Sequence, residues 1–325
     1  MNLTSLAVGG QLATLSLAAF FANRNFFYQD QARIKSVFYT VGIGCTVLFG
    51  SSVLIPLMIL SRARPVVYDP VIYQIEAISG LSPAEIVWAS SASAHHILGI
   101  CQIVYDNLPI IIILAASSQL IYSPWHFRDN LFVQFAVGAV IGYLLYYILP
   151  AVGPGIYFHG KFPFHMPSPA QVPAIPVVFN DGGATPRNAM PSMHAAWAIL
   201  SFLALRYSPL WQNALGLLYV IVTFVTTIGL GYHYILDWVV ALPLVLLIRG
   251  LTDAQPLVGP RIMAVVVGVL LLAVWCVIIR AAPVSLTYPR LIQAVIVASV
   301  FLPVSIGLRM AREKVLPLEP PEPRV

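Results

Sequence analysis

Long apolar segments recur along this chain, and their length constrains the fold more than any other feature. A helix needs about 20 predominantly apolar residues to cross the hydrocarbon core of a bilayer. Candidate crossings are found at residues 3–21, 37–60, 97–122, 131–149, 192–207, 214–230, 234–248, 262–279 and 291–308. Only 9% of the residues are charged, whereas soluble domains carry roughly 25%. We therefore predict an all-α polytopic transmembrane bundle with about nine spans.

Two long connections and a tail interrupt the apolar series. Residues 61–96 are predicted to form short helices at the membrane interface, and residues 150–190, with eight prolines, are predicted to form neither a span nor a helix. The proline-rich tail is predicted to be disordered. The predicted divisions are an N-terminal span and loop (1–36), a membrane core (37–248), two additional C-terminal spans (249–310) and the tail (311–325).

The lysines and arginines lie singly between the apolar segments, so we interpret them as topology markers and expect no nucleic-acid partner. With the 150–190 loop outside, eleven of the 17 basic residues lie inside, in agreement with the positive-inside rule. This distribution predicts an integral protein of the plasma (inner) membrane, with the 150–190 loop facing outside. No feature of the sequence indicates an oligomeric state.

Polar residues at the starts of two spans are the candidates for chemistry, because polar groups at membrane depth are costly. Residues 187–194 open the fifth span and residues 231–237 open the seventh. His194 and His233 are 39 residues apart, which is about the length of two crossings and places both at the face that carries the 150–190 loop. His233 and Asp237 are four residues apart and therefore share one helix face.

The two clusters predict a phosphoryl transfer from a lipid through a phosphohistidine. Asp237 can fix the tautomer of His233 and raise its basicity, as a nucleophile requires, and His194 can protonate the leaving oxygen as general acid. The residues predicted to bind the charged oxygens of the substrate are Arg187, Ser192, Lys161 and Asn188, together with the N–H groups of the helix start. The reaction requires no metal or cofactor, and the acceptor is either water or an alcohol.

The clusters resemble two signatures of the type-2 phosphatidic acid phosphatase superfamily: Pro-Ser-Met-His at 191–194 and His-x-x-x-Asp at 233–237. The resemblance implies a six-helix membrane core in which His233 is the nucleophile, Asp237 its orienting acid and His194 the leaving-group acid. It covers about residues 37–248 and leaves the first, eighth and ninth spans as additions. It also implies a phosphate-bearing lipid as substrate, handled at the outer membrane face.

The chain departs from the phosphatase branch of that superfamily in three respects. Thr226 and Thr227 occupy the places of a Ser-Arg pair, Met193 replaces the glycine of Pro-Ser-Gly-His, and the Lys-x₆-Arg-Pro signature is absent. In these respects the chain is more similar to the inositol phosphorylceramide synthase-like phosphotransferase branch. The Pro/Gly-rich segment 150–157 stands where that branch carries its own first signature.

Two other functions stay open at this point. A proton-coupled transporter would use intramembrane His and Asp as a relay, but it predicts charges near the middle of spans and discontinuous helices in two related halves. The polar clusters lie instead at span ends on one side. A catalytically inactive protein with the same fold would show the same sequence pattern.

Overall fold

The computed structural model describes residues 64–81, 95–122, 129–162, 165–253 and 259–313. The predicted spans 3–21 and 37–60, the stretch from Ser82 to residue 94 and most of the predicted disordered tail lie outside the described residues. The helices are α1 (Asp69–Ser79), α2 (His95–Asp106), α3 (Leu108–Tyr122), α4 (Leu131–Ile148), α5 (Pro154–Tyr157), α6 (Met193–Ala204), α7 (Leu210–Gly229), α8 (Ile235–Thr252), α9 (Gly259–Arg280), α10 (Ala282–Ser285) and α11 (Pro289–Glu313). The strands are β1 (Val66–Val67) and β2 (Val177–Val178), and 3-10 turns lie at Pro169–Gln171 and Leu205–Tyr207.

Five of the described helices are long and apolar enough to cross a membrane, and they indicate an integral membrane protein. They are α4, α7, α8, α9 and α11. The predicted count of about nine spans is not reached in this part of the chain. The fifth predicted span is a helix of only 12 residues, α6, followed by the 3-10 turn at Leu205–Tyr207.

The third predicted span, 97–122, is not one helix, and that expectation is corrected. It divides into α2 and α3, with Asn107 between them. The sequence contains the cause, because Pro109 has no N–H to donate to the carbonyl of Tyr105 four residues earlier. Pro109 also disfavours helical backbone at the preceding residue. The break places Tyr105 in the last turn of α2, at the end of that helix.

Helix α8 is the centre of the bundle. It packs against α1, α4, α6, α9 and α11, and Leu236, Leu244 and Ile248 along it are fully buried. Glycine permits a close approach to α9, because a Cβ at Gly268 would lie 2.8 Å from the Cβ of Leu247. The residues at the start of α8 are therefore fixed by packing on several sides.

The 150–190 loop contains more regular structure than expected. The prediction that it holds no helix is wrong for one turn, α5, which starts at Pro154, since proline at the first helical position loses no hydrogen bond. Strand β2 in this loop pairs antiparallel with β1, with Val178 opposite Val66. This pairing fastens the loop to the segment that precedes α1.

Candidate active site

His194 and His233 meet at one end of the bundle. His194 is the second residue of α6, and His233 lies in the tight turn between α7 and α8. The chain leaves the site through α6, turns at Leu205–Tyr207 and returns through α7. The imidazole rings of His194 and His233 therefore lie at the same end of this helix pair. Their centroids are 6.4 Å apart, close enough for both side chains to contact one small group.

The ring of His233 is held from its Nδ1 side. Nδ1 lies 2.8 Å from the carbonyl oxygen of Ala189 and 3.2 Å from Oδ2 of Asp237. Both partners accept, so the Nδ1 proton is donated to them and Nε2 keeps its lone pair. Burial lowers the pKa of His233 to about 4, although the hydrogen bond to Ala189 opposes the shift, so the imidazole is neutral at physiological pH.

Asp237 is fully buried in the first turn of α8. Its Oδ2 also accepts the backbone N–H of Tyr234 at 2.8 Å, which caps the helix start. Among the described residues, Oδ1 has no hydrogen-bond partner. The carboxylate thus combines a structural contact at the helix N-terminus with the contact to His233 that its spacing predicted.

His194 has an aromatic environment. Its Nδ1 lies 3.0 Å from the hydroxyl of Tyr105, and the two rings stack with centroids 4.3 Å apart. The ring of Tyr232 also stacks on that of Tyr105, with centroids 5.6 Å apart. The ring of Trp197 packs edge-on against His194, with centroids 5.9 Å apart. Sequence reasoning missed Tyr105, because 89 residues separate it from His194 and no local pattern connects them.

Ser192 and Asn188 flank the histidine pair. The hydroxyl oxygen of Ser192 accepts the N–H of Ala195 at 3.2 Å and so caps α6. The Ser192 N–H donates to the backbone carbonyl of Asp237, which joins the starts of α6 and α8. Asn188 is half-buried and precedes Ala189, whose carbonyl orients His233.

Arg187 is buried within its own loop. Its guanidinium donates to both carboxylate oxygens of Asp181, at 2.7 and 2.9 Å, and to the carbonyls of Arg64, Phe179 and Thr185. These contacts use all five of its donors, so none is left for a substrate phosphate in this arrangement. The guanidinium also holds the pKa of Asp181 well below its usual range.

Lys161 lies apart from the histidines in the described contacts. Its side chain is exposed, and its backbone forms a turn with Phe158 and His165. The structure therefore brings together His194, His233 and Asp237, with Ser192 beside them and Asn188 one residue before the carbonyl that holds His233. Among the described residues, no hydrogen bond or ion pair joins the side chain of Arg187 or Lys161 to that group.

Two buried acids of α1 are not identified by sequence reasoning. Oε1 of Glu76 accepts the N–H of Leu236 at 2.9 Å, and Asp69 accepts the N–H groups of Val152 and Gly153. Burial raises the pKa of Glu76 to about 8, with a further contribution from nearby Asp237, and burial raises the pKa of Asp69 to about 6. Their seven-residue spacing, which places both on the apolar face of one short helix, is the signal that could have found them.

The segment before α5 supports the His233 turn by direct backbone contact. Gly153 has φ +89°, and a Cβ there would overlap the carbonyl oxygen of Tyr232. The N–H of Gly155 donates to the carbonyl of Gly231 at 2.8 Å. In this 153–155 turn the two glycines allow the two loops to touch.

The fold and the site together define a class of protein. It is a helical membrane protein whose site, at one end of the bundle, contains two facing histidines and a buried aspartate. A family model described as the PAP2 superfamily matches residues 71–251. This is more than half of the chain, and the chain belongs to the PAP2 superfamily, whose members are generally phosphatases. The match includes both histidine clusters, whereas α9 and α11 lie beyond it, and it does not distinguish the branches of the superfamily. No curated protein and no solved structure matches the chain.

Proposed function

We propose that this chain is an integral-membrane lipid phosphotransferase or phosphatase that works through a phosphohistidine at His233. The observation that carries the proposal is the position of Nδ1 of His233, 2.8 Å from the Ala189 carbonyl and 3.2 Å from Asp237. Because both neighbours are acceptors, Nε2 has the free lone pair that attack on phosphorus needs. The neutral state of the buried ring supports the same role.

The first half-reaction forms a phosphorus–nitrogen bond. Nε2 of His233 attacks phosphorus, the bond from phosphorus to the leaving oxygen breaks, and that oxygen takes the Nε2 proton of His194. Asp237 stabilises the positive charge that His233 gains. In the second half-reaction a water or alcohol oxygen attacks phosphorus, the phosphorus–nitrogen bond to His233 breaks, and the proton of the acceptor goes to Nε2 of His194. Water makes the protein a phosphatase, and an alcohol makes it a phosphotransferase.

We assign the substrate oxygens to donors beside the histidines. Ser192 and Asn188, with the first N–H groups of α6, are adjacent to the pair. Lys161 belongs to the same loop region and is exposed to an incoming charged head group. Arg187 could bind phosphate only after it releases Asp181, so in our proposal it contributes mainly by holding the loop in place.

A lipid substrate and an alcohol acceptor are supported by two further features. The site lies at the end of membrane-length helices and is lined by Tyr105, Trp197 and Tyr232. At the position where the phosphatase branch has arginine, the hydroxyl of buried Thr227 accepts the indole N–H of Trp238 at 2.9 Å. This supports assignment to the phosphotransferase branch. The distribution of basic residues supports an outward-facing site at the plasma membrane.

The test is a substrate panel with the purified full chain in detergent. Labelled phosphatidic acid, phosphatidylinositol and a polyprenyl pyrophosphate are offered with water alone or with added alcohols, and phosphate release and head-group exchange are measured. We expect His233→Ala to abolish turnover and His194→Ala to reduce it by about 10²–10⁴-fold. The exposed His159→Ala serves as matched control and retains activity. Full activity in both the His233 and the His194 variants would overturn the mechanism.

A further inference from the structure

The two histidines of the site have chemically opposite partners at Nδ1. His233 faces the carbonyl of Ala189 and the carboxylate of Asp237, which can only accept. His194 faces the hydroxyl of Tyr105 at 3.0 Å, which can donate. The partner at Nδ1 fixes which ring nitrogen carries the proton, so the difference bears directly on the role of each ring.

The hydroxyl of Tyr105 needs an acceptor, because a buried O–H without a partner costs free energy. Its side chain is 9% exposed, and in the described part of the chain its hydrogen-bond partner is Nδ1 of His194. Tyr232, stacked on the same ring, donates its own hydroxyl to Gln102 at 3.1 Å. Tyr105 therefore donates to Nδ1, and the proton of neutral His194 lies on Nε2.

We propose that Tyr105 is a positioning and proton-relay residue for His194, an inference that rests on the proposed function. A neutral imidazole that gives its Nε2 proton to a leaving alkoxide becomes an imidazolate unless Nδ1 gains a proton at the same time. The phenolic proton of Tyr105 moves to Nδ1 as the Nε2 proton leaves. The products of this step are the protonated leaving group, His194 with its proton on Nδ1, and a Tyr105 phenolate.

The second half-reaction reverses these transfers. The incoming water or alcohol gives its proton to Nε2 of His194 while its oxygen bonds to phosphorus and the phosphorus–nitrogen bond to His233 breaks. Nδ1 returns its proton to the Tyr105 oxygen, and both side chains regain their starting states. The stacked rings keep the hydroxyl and Nδ1 aligned throughout. His194 itself thus stays neutral as acid and then as base, and the negative charge between the two half-reactions lies on the Tyr105 oxygen.

The kinetic test uses Tyr105→Phe, which removes the hydroxyl and keeps the stacked ring. Tyr219→Phe is the matched control, since it removes a hydroxyl from another buried tyrosine, on α7, whose hydroxyl has no hydrogen-bond partner among the described residues. Two probes are compared: dioleoylphosphatidic acid, whose alkoxide leaving group needs a proton, and p-nitrophenyl phosphate, whose phenolate does not. We expect Tyr105→Phe to lower kcat for the lipid by about 10²-fold, the lower end of general-acid effects, and to leave the aryl ester almost unchanged. Tyr219→Phe should leave both rates unchanged.

A second readout does not depend on turnover. In the ¹⁵N-histidine-labelled full chain in bilayers, magic-angle-spinning NMR distinguishes a protonated from an unprotonated Nδ1, and His194→Ala assigns the signal. We expect an unprotonated Nδ1 in His194 and a mixture of tautomers in Tyr105→Phe.

The two readouts separate the possible failures. A protonated Nδ1 in the unmodified chain, or equal rate losses on both probes, would overturn the relay even if the protein is active. If the unmodified chain turns over neither probe and transfers phosphoryl groups from no donor, the proposed function fails, while the NMR result still decides the Tyr105–His194 contact.

Discussion

Glu76 is a buried acid, outside the membrane-length helices, whose chemistry departs from its ordinary behaviour. Its carboxyl group supports the start of α8 through the N–H of Leu236, and its pKa is raised from 4.5 to about 8 by burial and by Asp237. Since the folded-state pKa is above the unfolded value, the folded protein holds an extra proton between these limits. Its stability therefore falls as pH rises through this window.

We predict that Glu76→Gln removes this pH-dependent contribution. Glutamine keeps an oxygen that can accept the Leu236 N–H, so the variant loses the titration without losing the acceptor. The melting temperature of the variant minus that of the unmodified chain should increase by several degrees between pH 5 and pH 8 in detergent. A difference that stays constant across that range would contradict the prediction.

Met193 shows how one large residue is accommodated where the phosphatase signature has glycine. Its side chain is almost fully buried and lies against Gly138 and Gly142 of α4. A Cβ at Gly142 would overlap the Met193 sulfur. The methionine in the histidine cluster and the glycine on the neighbouring helix therefore form one packing unit, and a change at either position has to be matched at the other.

At the scale of elements, the contact between the 153–155 turn and the His233 turn is the most sensitive to a single methyl group. We predict that Gly153→Ala lowers both the melting temperature and the activity, because the new Cβ meets the Tyr232 carbonyl and φ is +89°. Strained backbone of this kind costs about 1–3 kcal/mol, to which the overlap adds.

Gly160→Ala is the matched control for this prediction. Gly160 also has a positive φ, +74°, but among the described residues no atom lies within 4 Å of the place that an alanine Cβ would occupy there. The Gly160→Ala variant should lose only the backbone contribution to the free energy of unfolding, about 1–2 kcal/mol, and should keep its activity. Equal activity loss in the two variants, measured beside their melting curves, would show that the loop contact does not position His233.

The whole molecule can be tested for orientation by cysteine labelling. In a background with Cys45, Cys101 and Cys276 replaced by serine, one cysteine is placed at Lys161 in the site loop or at Trp211 in the first turn of α7. Both positions are exposed, and they belong to opposite ends of the bundle. We predict that a membrane-impermeant maleimide labels Lys161→Cys in intact cells and Trp211→Cys only after permeabilisation. The reverse pattern would place the site inside.

Residue spacing in the sequence predicts contacts between side chains on the same helix or on two consecutive helices. The juxtaposition of His194 and His233 follows from a 39-residue spacing that allows the chain to go out through α6 and return through α7, and the contact of His233 with Asp237 follows from four-residue spacing. The Tyr105–His194 and Glu76–Leu236 contacts join residues 89 and 160 positions apart. They depend on how helices pack, which apolar periodicity does not specify.

The pairing of Arg187 with Asp181 is also beyond the reach of sequence reasoning, for a different reason. The residues are six apart in a loop with no helical or strand periodicity to relate their side chains. From its position along the chain alone, Arg187 is predicted to bind the nearest expected anion, which is the substrate phosphate. The structure provides a carboxylate within the same loop, and short charge-assisted bonds to both its oxygens are satisfied before any ligand arrives.

The carbonyl of Ala189, which holds His233, has a consequence for how this site tolerates mutation. A main-chain carbonyl is present whatever residue is encoded at that position, so no substitution that preserves the loop can delete it. The hydroxyl of Tyr105 has no such protection, because a single nucleotide change converts a tyrosine codon to phenylalanine. If the proposed mechanism holds, natural variation should remove the hydroxyl beside His194 before the carbonyl beside His233, and chains that lose Tyr105 should retain activity longest on substrates whose leaving group needs no proton.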